Sequence, residues 1–108
     1  MFSIVIPMDT GRFEQFKQTK LVYDSFTQPK EIIILTRNYD KIYDYLEQNG
    51  LMKDVRLIGY EYFGGFNPSM AFNLGVKSAK YNTIIITSPE VKPTTRVLDQ
   101  LESLIGQN

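Results

Sequence analysis

The chain has 108 residues, 12 basic and 12 acidic side chains, 43% hydrophobic residues, and neither histidine nor cysteine. Its length fits one domain able to bury roughly two thirds of its unfolded surface. The two missing residue types exclude a disulfide framework, a thiolate nucleophile, zinc sites of the usual nitrogen and sulfur kind and a Ser-His-Asp triad, while balanced charge argues against a nucleic-acid binder, which carries a basic stripe. Chemistry here rests on carboxylates, Lys, Tyr, hydroxyls, backbone amides or a hard cation held by oxygen.

Phe2–Pro7 (FSIVIP) reads as the first strand. Arg12–Phe26 follows as a helix of irregular pattern, in which Val22 and Phe26 pair at helical spacing while Phe13 and Phe16 fall elsewhere. The second strand is Glu31–Thr36 (EIIILT). Lys41–Asn49 then places Ile42 and Leu46 four apart, with Asp40 as the expected cap and Gly50 as the stop. Val55–Tyr60 (VRLIGY) is the third strand, and its alternation puts it nearer an edge. Asn67-Pro68 reads as an N-cap followed by proline at the first helical position. The helix it opens, to about Lys80, carries Ala71, Leu74, Gly75 and Ala79 on one side, and the small residues among these let it lie close to a sheet. Thr83–Ser88 (TIIITS) is the fourth strand, and Thr94–Ile105 the last helix, striped by Val97, Leu98, Leu101, Leu104 and Ile105.

The first, second and fourth strands are continuously apolar, which predicts cover on both faces, as in a parallel sheet. The order βαβαβαβα predicts an α/β fold: a Rossmann-like three-layer α/β/α domain around a mainly parallel four-stranded sheet. In such folds ligands bind beyond the carboxyl ends of the strands, so the segments of interest are Pro7–Arg12, Thr36–Asp40, Tyr60–Asn67 and Ser88–Lys92. No apolar run reaches the length of a membrane span, and Met1 leads almost directly into a strand, so a soluble, cytoplasmic protein without a signal peptide is expected. The first strand exits into PMDTGR rather than G-x-G-x-x-G, and no G-K-[ST] occurs, so neither a dinucleotide-binding Rossmann motif nor a P-loop is present.

Read together, the strand ends resemble family 2 glycosyltransferases of the GT-A fold. Ser3–Pro7 (SIVIP) is similar to the first strand of that family, and Ser25-Phe26-Thr27-Gln28 followed by Glu31–Leu35 is similar to its "SLxxQ…EIIVV" segment. Ala71–Val76 (AFNLGV), with Ala79 beyond it, resembles its "ARNxGIxxA" helix, and Ile84–Thr87 stands where the strand leading to its DxD metal motif would be. The four blocks span nearly the whole chain. Departures accompany the match. Thr36, Arg37 and Asn38 stand in place of Asp-Asp-Gly, where an acidic residue helps recognise uracil; Phe72 replaces the arginine of ARN; and Ser88-Pro89-Glu90 keeps one carboxylate of the DxD pair. Family members usually continue for another hundred residues or more, which supply the acceptor site and general base. The resemblance therefore implies that residues 1–108 form one GT-A-like nucleotide-sugar-binding domain, the amino-terminal half of such an enzyme, with a degenerate DxD.

By this resemblance Pro7, Met8, Asp9 and Thr10 surround the base and ribose of a nucleotide-diphospho-sugar, with Asp9 accepting from a sugar hydroxyl; the alternative is helix capping by Asp9 or Thr10. Thr36 and Arg37 remain nucleotide-binding candidates, Arg37 as a planar donor to phosphate. Glu90, beside Ser88, is the candidate ligand for Mg²⁺ or Mn²⁺ bridging a diphosphate, against the reading of a solvated loop glutamate. Gly64-Gly65, within Tyr60–Phe66, permits close approach of a diphosphate, and Asn67 and Ser69 add donors at the following helix start. The same segment reads equally as a glycine turn with core-capping aromatics, or as a surface for a protein partner. Asn73 is a nucleotide-sugar candidate by its place in the motif and, with Gly75, a packing residue by its place on the helix. Two functions follow: a nucleotide-sugar-binding module of a glycosyltransferase, and a non-catalytic interaction module that keeps the fold without the chemistry.

Overall fold

The computed structural model describes residues 1–61, 68–93 and 98. Over these residues the chain runs β1 (Phe2–Pro7), α1 (Phe13–Asp24), β2 (Lys30–Thr36), α2 (Tyr39–Gln48), β3 (Val55–Gly59), α3 (Pro68–Ser78) and β4 (Thr83–Ile86). The four strands form one all-parallel sheet in the order β3-β2-β1-β4. The expected α/β architecture is thus present. Apart from the buried residue Leu98, the helix expected over Thr94–Ile105 lies outside the described residues.

Alternation along the central strands sorts side chains into two cores, because successive residues of a strand point to opposite faces. Ile4, Ile6, Ile32 and Ile34 meet Phe16 and Tyr23 of α1 and Ile42 and Leu46 of α2. Val5, Ile33 and Leu35 meet Ala71 of α3 on the other face. Both faces of β1 and β2 are therefore covered, which is why their sequences are apolar without interruption.

α3 lies against the sheet at Gly75, where an added Cβ would fall 2.3 Å from a methyl of Val5 and 3.0 Å from one of Leu35. Small residues were expected to permit this approach, and they do. α2 ends as Gly50 predicts. Gly50 takes a φ of 65°, its N–H donates to the Glu47 carbonyl, and the Leu51 N–H donates to that of Leu46 at 2.8 Å, a Schellman closure with Leu51 turned into the core.

Four expectations change. The buried face of α1 is Phe16, Thr19, Lys20 and Tyr23, while Val22 is only half-buried. Two polar residues join this stripe because each has a partner. Thr19 Oγ1 donates to the Pro89 carbonyl at 2.7 Å, and Lys20 Nζ donates to both oxygens of Asp24 at 2.7 and 2.9 Å. The helix cap before α2 is Asn38, and Asp40 sits in the first turn instead. β3 is an edge strand as its alternation suggested, but β4 also stands at an edge of the described sheet, with Ile86 48% exposed. A run of isoleucines reports a strand; it does not distinguish a centre from an edge. Finally, both outer strands end one or two residues earlier than their apolar runs, at Gly59 and Ile86.

Candidate functional site

The chain builds β1, then β2 and β3 outward on one side, and returns to place β4 on the other side of β1. The gap between β1 and β4 is thus the point where strand order reverses, the place where open α/β sheets form a crevice at the carboxyl ends of their strands. A cleft of about 570 Å³ lies there, lined by Pro7, Met8, Asp9, Thr10, Arg12, Phe72, Ser88, Pro89 and Glu90. Of the residues expected from sequence, Pro7, Met8, Asp9, Thr10, Ser88 and Glu90 come together on its walls.

The loop after β1 turns at Gly11, whose φ of 105° favours glycine, and delivers Arg12 as the residue capping α1. No side-chain hydrogen bond caps this helix, so neither Asp9 nor Thr10 takes the capping role. The opposite wall is a tight turn after β4. The Val91 N–H donates to the Ser88 carbonyl at 3.1 Å, with Pro89 and Glu90 at the corners. Pro89 is buried, and its carbonyl is the group that Thr19 holds from α1. Glu90 is exposed at the corner of this fastened turn.

Asp9 is already engaged. One oxygen accepts from the Arg37 backbone N–H at 3.1 Å, and the other accepts from Nε at 2.9 Å and Nη2 at 2.6 Å of the same arginine. Thr36 Oγ1 stands 3.5 Å from Asp9 and accepts the Asn38 N–H at 3.0 Å. Thr36 and Arg37 therefore do not line the cleft; they hold Asp9, which does. Hydrogen bonding to Asp9, together with its charge, raises the pKa of Arg37 despite some loss of hydration. Tyr60 follows β3, its N–H donating to the Thr36 carbonyl at 3.0 Å. Its hydroxyl is buried and makes no hydrogen bond, and its pKa is pushed up by burial and by Asp9, against an opposing effect of Arg37.

Among the described residues no three Asp, Glu, His or Cys side chains gather as a metal-ligating group. With Asp9 held by Arg37, Glu90 is the remaining carboxylate among the described residues of the cleft wall, and a divalent cation there would draw most of its oxygens from a ligand and water. Asn73 is exposed on α3 and does not line the cleft, whereas its neighbour Phe72 does. Gly65 and Asn67, with the rest of the Tyr62–Phe66 aromatic segment, lie outside the described residues. Arg12 and Phe72 are the wall residues that sequence reasoning did not single out. Arg12 falls within the strand-exit interval but reads as the start of a helix, and Phe72 reads only as a replaced arginine.

The residues 1–61, 68–93 and 98 include no helix long and apolar enough to cross a membrane. No protein-family model matches the sequence, and a search of the curated proteins gives no significant match.

Proposed function

We propose that the chain is a GT-A-like nucleotide-sugar-binding module, similar to the donor-binding half of family 2 glycosyltransferases, which binds its ligand without completing transfer alone. The observation that carries this reading is the cleft at the β1/β4 reversal, whose walls include six residues that the sequence singles out. Its volume of about 570 Å³ lies within the usual range for small-molecule sites. Turnover is not part of the proposal. Transfer requires a base for the acceptor hydroxyl as well as stabilisation of the departing diphosphate, and among the described residues the cleft wall offers Glu90 alone once Asp9 is committed to Arg37.

Calorimetric titration with a panel of nucleotide-diphospho-sugars, with Mn²⁺ present, tests this. Saturable binding of at least one, weakened by filling the cleft with Ser88→Trp, is the expected result. No heat with any of them overturns it.

The commitment of Asp9 to Arg37 favours a second reading, an interaction module that retains the fold after the loss of sugar chemistry. This reading gains if nucleotide sugars fail to bind while the chain co-purifies with a stable partner.

A further inference from the structure

The cleft contains two charges that nothing in the described structure satisfies. Arg12 and Glu90 both line it, both are exposed, and neither side chain makes an ion pair or hydrogen bond, with the other or with another described residue. The third charged wall residue, Asp9, is neutralised by Arg37 at 2.6 Å. The remaining field is therefore a dipole. Its positive pole lies on the α1 side, with Arg12 and Thr10, and its negative pole on the β4 side, with Ser88 and Glu90. Between the poles the walls are largely apolar, formed by Pro7, Met8, Phe72 and Pro89. Concave low-dielectric walls concentrate such a field on whatever enters.

We infer that this polarity fixes the direction in which a ligand lies. Its anionic group docks on Arg12, and its hydroxyl-bearing end meets Glu90 and Ser88. A guanidinium without a protein acceptor is the strongest anion-recognising group on these walls, because its planar donors match phosphate oxygens. A carboxylate, by contrast, accepts from sugar hydroxyls and repels phosphate in the absence of a cation. This assignment rests on the proposed function in taking the cleft as a ligand site, and deepens it by separating the roles of the two walls. It moves the phosphate from the β4 turn, where the degenerate DxD would put it, to the start of α1.

Titration of the full chain with inorganic diphosphate in EDTA, followed through backbone amide chemical shifts, tests the inference without any nucleotide. Wild type is expected to show saturable shifts at Thr10 and Arg12. Arg12→Gln is expected to weaken binding about tenfold, the scale of one charge-assisted interaction. Glu90→Gln is expected to bind diphosphate as well as wild type or more tightly, and Lys41→Gln, which removes the same charge from an exposed site on α2, to stay within about twofold. Absence of a response in wild type, Arg12→Gln binding like wild type, or weaker binding by Glu90→Gln each overturns the inference. Diphosphate binding through Arg12 combined with no binding of any nucleotide sugar leaves the inference standing and removes the proposed function instead.

Discussion

At the amino-terminal end of the sheet Glu31 meets Arg56, and at the carboxyl end Asp9 meets Arg37. Both are carboxylate–arginine contacts, at 2.8 and 2.6 Å, but their surroundings differ. The Glu31 side chain is 7% exposed and gathers donors from three parts of the chain: Ser3 Oγ at 2.6 Å, Arg56 Nη1 and the Lys80 N–H at 2.5 Å, while Ser3 Oγ in turn accepts the Tyr81 N–H at 3.0 Å. It joins β1, β2, β3 and the α3–β4 connection. Asp9 draws only on Thr36 and Arg37 of the β2 exit, and both partners of the ion pair remain partly exposed. One end is a closed knot that fastens elements together, whereas the other is a local brace beside an open cleft. The lesson is that the number of elements a carboxylate ties together, rather than the number of hydrogen bonds it accepts, separates the structural knot from the local brace.

Removing Glu31 should produce the largest effect. Glu31→Ala strands the buried Ser3 hydroxyl and takes the acceptor from the Lys80 N–H and from Arg56, and should cost about 3 kcal/mol in urea denaturation. A loss below about 1 kcal/mol would make the two ends equivalent and break the comparison.

Acid separates the ends next. Burial alone would raise the Glu31 pKa, but the hydrogen bonds from Ser3, Arg56 and the Lys80 N–H, with the Arg56 charge, outweigh it and leave the group below its ordinary value of 4.5. A carboxylate with a depressed folded pKa stabilises the fold above its unfolded pKa and loses that contribution as pH falls through the folded one. Stability should therefore decline as pH drops below about 4.5, and Glu31→Gln should flatten that part of the profile, as followed by thermal melts across the acid range. A wild-type profile unchanged by Glu31→Gln would deny the knot its role.

The smallest effect belongs to the brace. Arg37→Gln should shift the urea midpoint by roughly a third or less of the Glu31→Ala shift, and about 1 M salt should remove most of this difference, since partly exposed pairs are weak and screened. An Arg37 effect as large as that of Glu31 would recast the carboxyl end as a second structural knot.

Much of the fold was legible because the central strands are covered on both faces, and strands covered in this way require the uninterrupted apolar runs seen in residues 4–7 of Phe2–Pro7 and 32–35 of Lys30–Thr36. Gly50 and the small residues of α3 were equally informative, since each answers to a local geometric need. Hydrophobic pattern failed on α1, where Thr19 and Lys20 are buried through specific partners that no periodicity reveals. Glu31 reads in the sequence only as part of a motif; its role depends on the register that sets it beside Ser3, which exists only once β1 and β2 pair. Topology pointed to four strand-exit segments, of which Pro7–Arg12 and Ser88–Lys92 line the cleft, but it could not say which charges in them are already satisfied. That Asp9 is held by Arg37, 28 residues away, while Arg12 is not held by any described residue, is a property of the assembled strand ends.

The hydrogen bond from Thr19 to the Pro89 carbonyl joins residues 70 apart in sequence. It also sets the timing of site assembly. β1, the first strand in the chain, is central, and its second partner, β4, follows only after two other strands. One wall of the cleft is thus present early in synthesis, but the opposite wall must wait for the most non-local pairing of the described sheet, the slow kind of contact in folding. A chain interrupted before β4 would lack the second wall of the cleft even with the β1–β2–β3 ladder and the Asp9 brace in place. The Thr19–Pro89 contact, rather than secondary structure, would then report when folding has finished.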